Sequence, residues 1–175
     1  MGAHSAIVTG DTALLGAVTS RLIRDWNKYP ERYAQALQPF TAYLPLHCCV
    51  LNNDYRSALP FYKLSVQFIK KSEREPSGLN IEQDYRIYLY RNMALTAAYH
   101  GLKKDALEYL DKYFFESDRF SLKNIGYYTA MALKAQLTGD KKLLREALEN
   151  IVRIDPGLTR YAQDLEKLKN EENKQ

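Results

Sequence analysis

Two short stretches carry residue types that could do chemistry. Ile7 to Val18 reads IVTGDTALLGAV. Two β-branched residues, then Thr9-Gly10, then Gly16 among small residues, resemble the turn after the first strand of a dinucleotide-binding sheet. In such a turn the N–H groups at a helix start cradle a pyrophosphate. The same letters have a second reading, in which Gly10 ends one helix and Asp11-Thr12 caps the next. The other stretch is His47-Cys48-Cys49, an imidazole beside two thiols, which suggests a metal or thiol site.

Neither stretch has the context its chemistry needs. His4, His47 and His100 are the only histidines, and none has a cysteine, histidine or acid at metal-ligand spacing. Cys48 and Cys49 are expected to pack as small hydrophobes between helices. The central glycine of a dinucleotide fingerprint would fall on Ala13, and no later strands exist to build a parallel sheet. No nucleophile elbow, phosphate loop, zinc-protease helix or paired-carboxylate arrangement occurs. Glu73, Glu75, Glu116 and Asp118 lie in polar linkers and helix ends, where solvation and capping account for them. The expectation is a non-enzymatic protein with no cofactor and no metal.

Composition narrows the elements that could position any site. The 175 residues suit one domain with a sizeable core. With 46% apolar and 26% charged residues the chain is globular rather than disordered. Eight glycines and six prolines leave little material for the turns of an all-β fold. Tyrosine is in excess, 14 against 6 Phe and 1 Trp, and suits a surface that must be sticky yet soluble. The net charge of +4 is spread over lysine pairs that sit next to acids, not over the concentrated stripe that nucleic-acid binding shows. No apolar run is long enough to span a bilayer, and the N-terminus shows no signal peptide, so no membrane insertion is expected. Ala6 stands where a myristoylation signal needs Ser or Thr. Adjacent cysteines do not make a disulfide framework, and a reducing cytoplasm is the default.

Helical periodicity dominates from Ala13 to Leu168, as in YRIYLYRNMALTAAY and KLLREALENIVRI. The helices are cut at Asn52-Asn53-Asp54, Gly101, Gly139-Asp140 and Pro156-Gly157, and SEREPSGLN from Ser72 is the long polar break. An internal repeat is present. Tyr90, Met93, Ala94 and Ala97 before Gly101 are echoed by Tyr128, Met131, Ala132 and Ala135 before Gly139. After each glycine the apolar stripe recurs at identical spacing: Ala106, Leu110 and Tyr113, then Leu144, Leu148 and Ile151. A weaker copy uses Asn53 as its turn residue, followed by Ala58 and Tyr62. Its first helix, with Pro45 and Leu46 at the small-residue positions, is expected to begin late or to kink. VTGDTALL from Val8 aligns with LTGDKKLL from Leu137, which makes Gly10 a helix–turn–helix glycine.

These units resemble the tetratricopeptide repeat: an aromatic opener, small residues where two helices touch, a turn glycine and a closing proline. Pro156 stands in the closing position, while the preceding copy has Asp118 there. The resemblance covers roughly residues 40–158, and the copies depart from a strict period of about 34 residues. It implies an all-α fold, an α-solenoid of antiparallel helix pairs in a single domain. A remnant pair would occupy residues 1–38, repeats about 39–72, 87–120 and 125–158, and a capping helix 158–172.

The resemblance also implies a site. In this family the first helix of each repeat lines a concave groove that takes an extended peptide or a partner helix. The groove residues would be Phe40, Tyr43 and His47 from the first copy, Tyr88, Arg91, Asn92, Leu95 and Tyr99 from the second, and Thr129, Leu133 and Gln136 from the third. Phe40, Tyr43, Leu95 and Leu133 have the alternative of packing against neighbouring helices. The family's clamp for chaperone C-termini is not implied, because its places hold Tyr43, His47, Asn92, Gly126 and Ala130, and only Asn92 matches. The implied function is protein or peptide binding, as the sensory or assembly domain of a bacterial regulator. A secretion chaperone with three repeats is the alternative, disfavoured mildly by the basic isoelectric point of about 8.9. The chain is expected to be part of a longer protein, since a helix from Asp11 to Trp26 would lack most of its partner, which invites either homodimerisation through the N-terminal helices or an extra domain upstream.

Overall fold

The computed structural model describes residues 11–35, 39–74 and 83–172, and within helices the side chains of 12, 33–35, 39–42, 72–74, 83–85 and 172 are also left undescribed. Every regular element among the described residues is an α-helix. They are α1 (Thr12–Lys28), α2 (Pro30–Gln35), α3 (Pro39–Leu51), α4 (Tyr55–Arg74), α5 (Gln83–Tyr99), α6 (Lys103–Arg119), α7 (Ile125–Thr138), α8 (Lys141–Ile154) and α9 (Thr159–Glu172). None of them is long and apolar enough to cross a membrane. The chain divides into two compact units, Met1–Tyr109 and Leu110–Gln175, with the boundary inside α6.

The first stretch singled out above is a helix start. Asp11 takes an extended conformation and its Oδ1 accepts from Leu14 N at 2.9 Å, which satisfies one of the orphan donors of α1. Asp140 does the same for α8, accepting from Leu143 N at 2.9 Å. The two aligned Gly-Asp segments therefore share their capping chemistry. Gly16 lies inside α1 with nothing near the place of a Cβ, so no close backbone approach requires it. Gly10, Ala3, Ala6 and His4 lie outside the described residues.

Among the described residues four helix ends share one device. Asn53, Gly101, Ser121 and Gly139 all adopt positive φ, at 55°, 72°, 54° and 75°. After three of them the next residue's N–H reaches back five places: Asp54 to Cys49 O, Leu102 to Ala97 O and Leu122 to Ser117 O, at 2.9, 2.9 and 3.0 Å. Asp140 N does likewise to Ala135 O at 3.0 Å. This is the Schellman closure, in which a left-handed residue lets the last carbonyls of a helix find donors. Asn53 replaces glycine because its short polar side chain tolerates that conformation.

In the first unit, α3 is the central helix. Its sequence PFTAYLPLHCCVL holds no charged residue, and Tyr43 and the whole run Pro45–Val50 are buried. That fits a helix covered on several sides: α1, α4 and α5 all pack against it. α3 does not begin late; it starts at Pro39 and runs on through Pro45. Proline in a helix interior forfeits a backbone bond and costs about 3 kcal/mol, which the burial around it must offset. Leu15, Val18 and Leu22 of α1 pack with Cys48 and Leu44, so the apolar side of α1 has a partner in α3. Buried Thr19 accepts a hydrogen bond from Asn52 Nδ2 at 2.9 Å. α4 buries Ala58, Phe61, Leu64, Ser65 and Phe68 and leaves Lys63, Gln67, Lys70 and Lys71 outside. Tyr62 of α4 donates to Asp105 Oδ2 at 2.8 Å.

The second unit is built on α7, α8 and α9. Met131, Ala132, Ala147 and Ile151 form its core, with Phe114, Tyr127, Tyr128 and Tyr161 packed around them. Leu165 and Leu168 of α9 close over Leu148 of α8, as the apolar spacing of the C-terminal segment predicts. α8 ends at Ile154, and Asp155 turns extended ahead of Pro156 because an α conformation there would clash with the proline ring.

Candidate partner-binding site

The groove residues predicted on the first unit come from two neighbouring helices, α3 and α5, which pack on each other. Tyr43 and His47 are one turn apart on α3, and their rings stack at 5.2 Å between centroids. The Tyr88 ring of α5 lies 6.1 Å from His47, tilted by 55°. Asn92, one turn further along α5, places its Nδ2 2.8 Å from His47 Nδ1. In that arrangement the amide donates, so the ring keeps its remaining proton on Nε2. The structure thus brings Tyr43, His47, Tyr88 and Asn92 together.

Their exposures divide them into two roles. Asn92 is 1% exposed and His47 8%, and Tyr43 is buried too, so these three form the joint between helices. Tyr88 is 50% exposed and Tyr99 60%. On α5 the positions 88, 95 and 99 share one face, and eleven residues of helix place the two tyrosines about 16 Å apart. Half-buried Leu95 lies between them, flanked by half-buried Arg91. Tyr99 is itself buttressed: its ring stacks on Tyr55 at 5.2 Å and meets His100 edge-on at 5.1 Å. His100 Nε2 donates to Tyr55 O at 2.9 Å, which fixes that ring. Tyr55 and His100, which brace Tyr99, were not among the predicted positions. Their signal was the placing of an aromatic and an imidazole just outside two helix turns, at Asp54-Tyr55 and Tyr99-His100.

Electrostatics follows from burial. His47 is lowered to about 4, first by burial and further by the positive charge of Arg91. A second ring proton would require the Asn92 amide to turn its oxygen toward Nδ1, which offsets only part of that cost. At neutral pH the joint is uncharged, and the positive charge beside it is that of Arg91. Cys48 is pushed up to about 11 by burial. Cys49 is pushed up to about 12 by burial, then by the charge of Asp54 and by Cys48. Both thiols are therefore protonated packing groups at neutral pH. Among the described residues no three of His, Cys, Asp and Glu gather as a metal site would need.

The remaining predicted positions belong elsewhere. Gln136 is exposed on α7, and Leu133 of the same helix is half-buried; both lie in the second unit. Thr129 is half-buried there, and its hydroxyl donates to Gly126 O at 3.0 Å. The side chain of Phe40 lies outside the described residues. Compared with protein-family models, curated proteins and solved structures, the chain matches none of them.

Proposed function

We propose that this chain is a non-enzymatic interaction module of tetratricopeptide type, in which α3 and α5 are first helices of successive repeats and α5 presents the contact face to a protein segment or extended peptide. One observation carries the reading. Of the tyrosines whose side chains are described, Tyr88 and Tyr99 alone are exposed, and both fall on one face of one helix. Exposed aromatics aligned at this spacing suit anchoring of a bound segment, because they supply apolar area at small entropic cost. The left-handed turns at Asn53, Gly101 and Gly139, and the packing of α5 on both α3 and α4, support the repeat assignment. Within a longer protein such a module serves as the sensory or assembly part of a regulator.

The test is selection of peptides from a random display library on the intact chain. Enriched peptides are expected to bind Arg91→Ala and Tyr88→Ala more weakly by about 1–3 kcal/mol, as for a charged hydrogen bond or an aromatic anchor lost at an interface. Melting of both variants is expected to stay within the small range of surface changes. Peptides that bind both variants as well as the native chain, or melting that falls sharply with affinity unchanged, would remove α5 as the contact face.

A further inference from the structure

The first unit contains a second concavity that shares no residue with the α5 face. It is a cleft of about 610 Å³ between the end of α1, the start of α2 and one face of α4. Trp26 is one apolar wall, Leu59 and Pro60 another, and buried Leu64 lies at its base. The Trp26 ring is held in place edge-on against buried Phe61, 5.4 Å between centroids. Pro30 at the start of α2 adds to the apolar lining, and three polar side chains complete it: Glu31 from α2, and Lys63 and Gln67 from α4. All three are exposed, so they stand at the mouth rather than the base.

Several features make this a candidate ligand site rather than a packing gap. Its size lies in the range of about 300–1,000 Å³ that holds small organic ligands. Its chemistry is that of such sites, mostly apolar walls with a few polar groups that fix orientation. The walls are also stiff. Proline has no side-chain torsion to reorder, and the indole is braced by Phe61. A ligand would therefore lose little affinity to the ordering of the protein. The polar groups then narrow the ligand. One carboxylate and one ammonium at the mouth of an apolar cleft complement a molecule with the opposite pair, one ammonium and one carboxylate around an apolar body. A simple fatty acid would leave Glu31 facing its carboxylate, and an apolar amine would leave Lys63 facing its cation.

We infer that this cleft binds an apolar zwitterion: its ammonium pairs with Glu31, its carboxylate with Lys63, and its apolar body lies between Trp26 and Pro60 over Leu64. Both a free apolar amino acid and a short apolar peptide with free termini have this chemistry. Gln67, which offers a donor and an acceptor together, matches the amide that only the peptide has.

Trp26 is the chain's single tryptophan, so its emission reports on this cleft alone. The intact chain would be titrated with L-phenylalanine, with the dipeptide leucyl-phenylalanine, and with that dipeptide N-acetylated or C-amidated. Saturable change in Trp26 emission is expected with a Kd below about 1 mM for at least one of the two zwitterions. Tighter binding of the dipeptide assigns the site to peptides; tighter binding of phenylalanine assigns it to amino acids. Blocking either terminus is expected to weaken binding about three- to tenfold, as partly exposed charged contacts do. Lys63→Met is expected to abolish the penalty for C-amidation, and Glu31→Gln the penalty for N-acetylation. Both positions are exposed, and circular dichroism melting would verify that each variant is folded. The inference is overturned by an unchanged emission with every probe up to about 10 mM. It is equally overturned by blocked and free dipeptides binding alike, or by penalties that persist in the two variants. Because the peptide-display experiment reads the α5 face through Tyr88 and Arg91, either site can fail without the other.

Discussion

Lowering the pH should unfold this protein partly through one residue, His47. In the folded chain the imidazole is buried against Tyr43 and Tyr88 and its affinity for a second proton is lowered to about 4, whereas the ordinary histidine value is 6.5. The unfolded chain therefore takes up a proton that the folded one refuses. Stability from this residue is complete above the unfolded value, falls as the pH drops from about 6.5 toward 4, and levels off once both states are protonated. Each pH unit in that window is worth about 1.4 kcal/mol, so between about pH 7.5 and pH 4.5 the loss amounts to roughly 2–3 kcal/mol. Carboxylates also titrate in this range, and their contribution must be subtracted. His47→Gln does so, because it retains a polar side chain near Asn92 but cannot titrate. Urea unfolding of both proteins at the two pH values gives four free energies, and each protein is compared only with itself. The native chain should lose about 2 kcal/mol more than the variant. Equal losses in the two proteins would refute the burial of a neutral His47, and with it the joint between α3 and α5.

Two further perturbations address the scaffold. Gly101→Ala and Gly139→Ala should each destabilise by about 1 kcal/mol, since nothing lies near the added methyl and only the positive φ opposes it. Ser121→Gly should instead raise stability by up to about 1 kcal/mol in urea unfolding; a loss there would mean that the left-handed turn after α6 is misassigned. Tyr62→Phe should cost about 1–2 kcal/mol, because it removes the donor to Asp105 from a buried ring. A neutral result in thermal unfolding would show that water replaces the lost hydroxyl at no cost.

Much of the helix plan was legible because it rests on local chemistry. Asp11 and Asp140 announce helix starts by residue type alone, and Gly101, Gly139 and Asn53 announce the ends that need positive φ. Ser121 could not be read in this way, since serine carries no preference for the left-handed region. The turn after α6 was therefore signalled only by the repeat. The continuation of α3 through Pro45 was illegible for a different reason. A proline's local cost is visible in sequence, but the burial by α1, α4 and α5 that offsets it is a property of the fold. Helical spacing places Tyr43 one turn from His47 and Tyr88 one turn from Asn92, and in the structure His47 touches the other three. Spacing could not say which of them face water. Nor could it foresee the cleft at Trp26, whose lining comes from three helices and has no periodic signature.

The tyrosine excess shows how composition and structure divide the work. A surplus of tyrosine suggests a sticky surface, yet Tyr43, Tyr62, Tyr109 and Tyr113 are buried. Within the first unit Tyr109 contacts Tyr62 edge-on at 6.2 Å and stacks with Tyr90 at 6.4 Å. Within the second, Tyr127 meets Phe114 edge-on at 5.0 Å and Tyr128 at 5.4 Å. Burial, the nearby charge of Asp118 and a hydrogen bond to it push the Tyr127 hydroxyl up to about 12. These rings serve as packing that also needs a polar contact for the hydroxyl, which Asp105 supplies to Tyr62. Once they are set aside, the exposed tyrosines among those whose side chains are described reduce to Tyr88 and Tyr99. A random scatter of exposed tyrosines would carry no functional weight. Two on one face, with the joint of His47 and Asn92 holding their helix against α3 and with Arg91 beside them, make a rigid and sparsely charged strip. Rigid aromatic anchors that need no reordering are what a contact face requires to convert modest area into affinity.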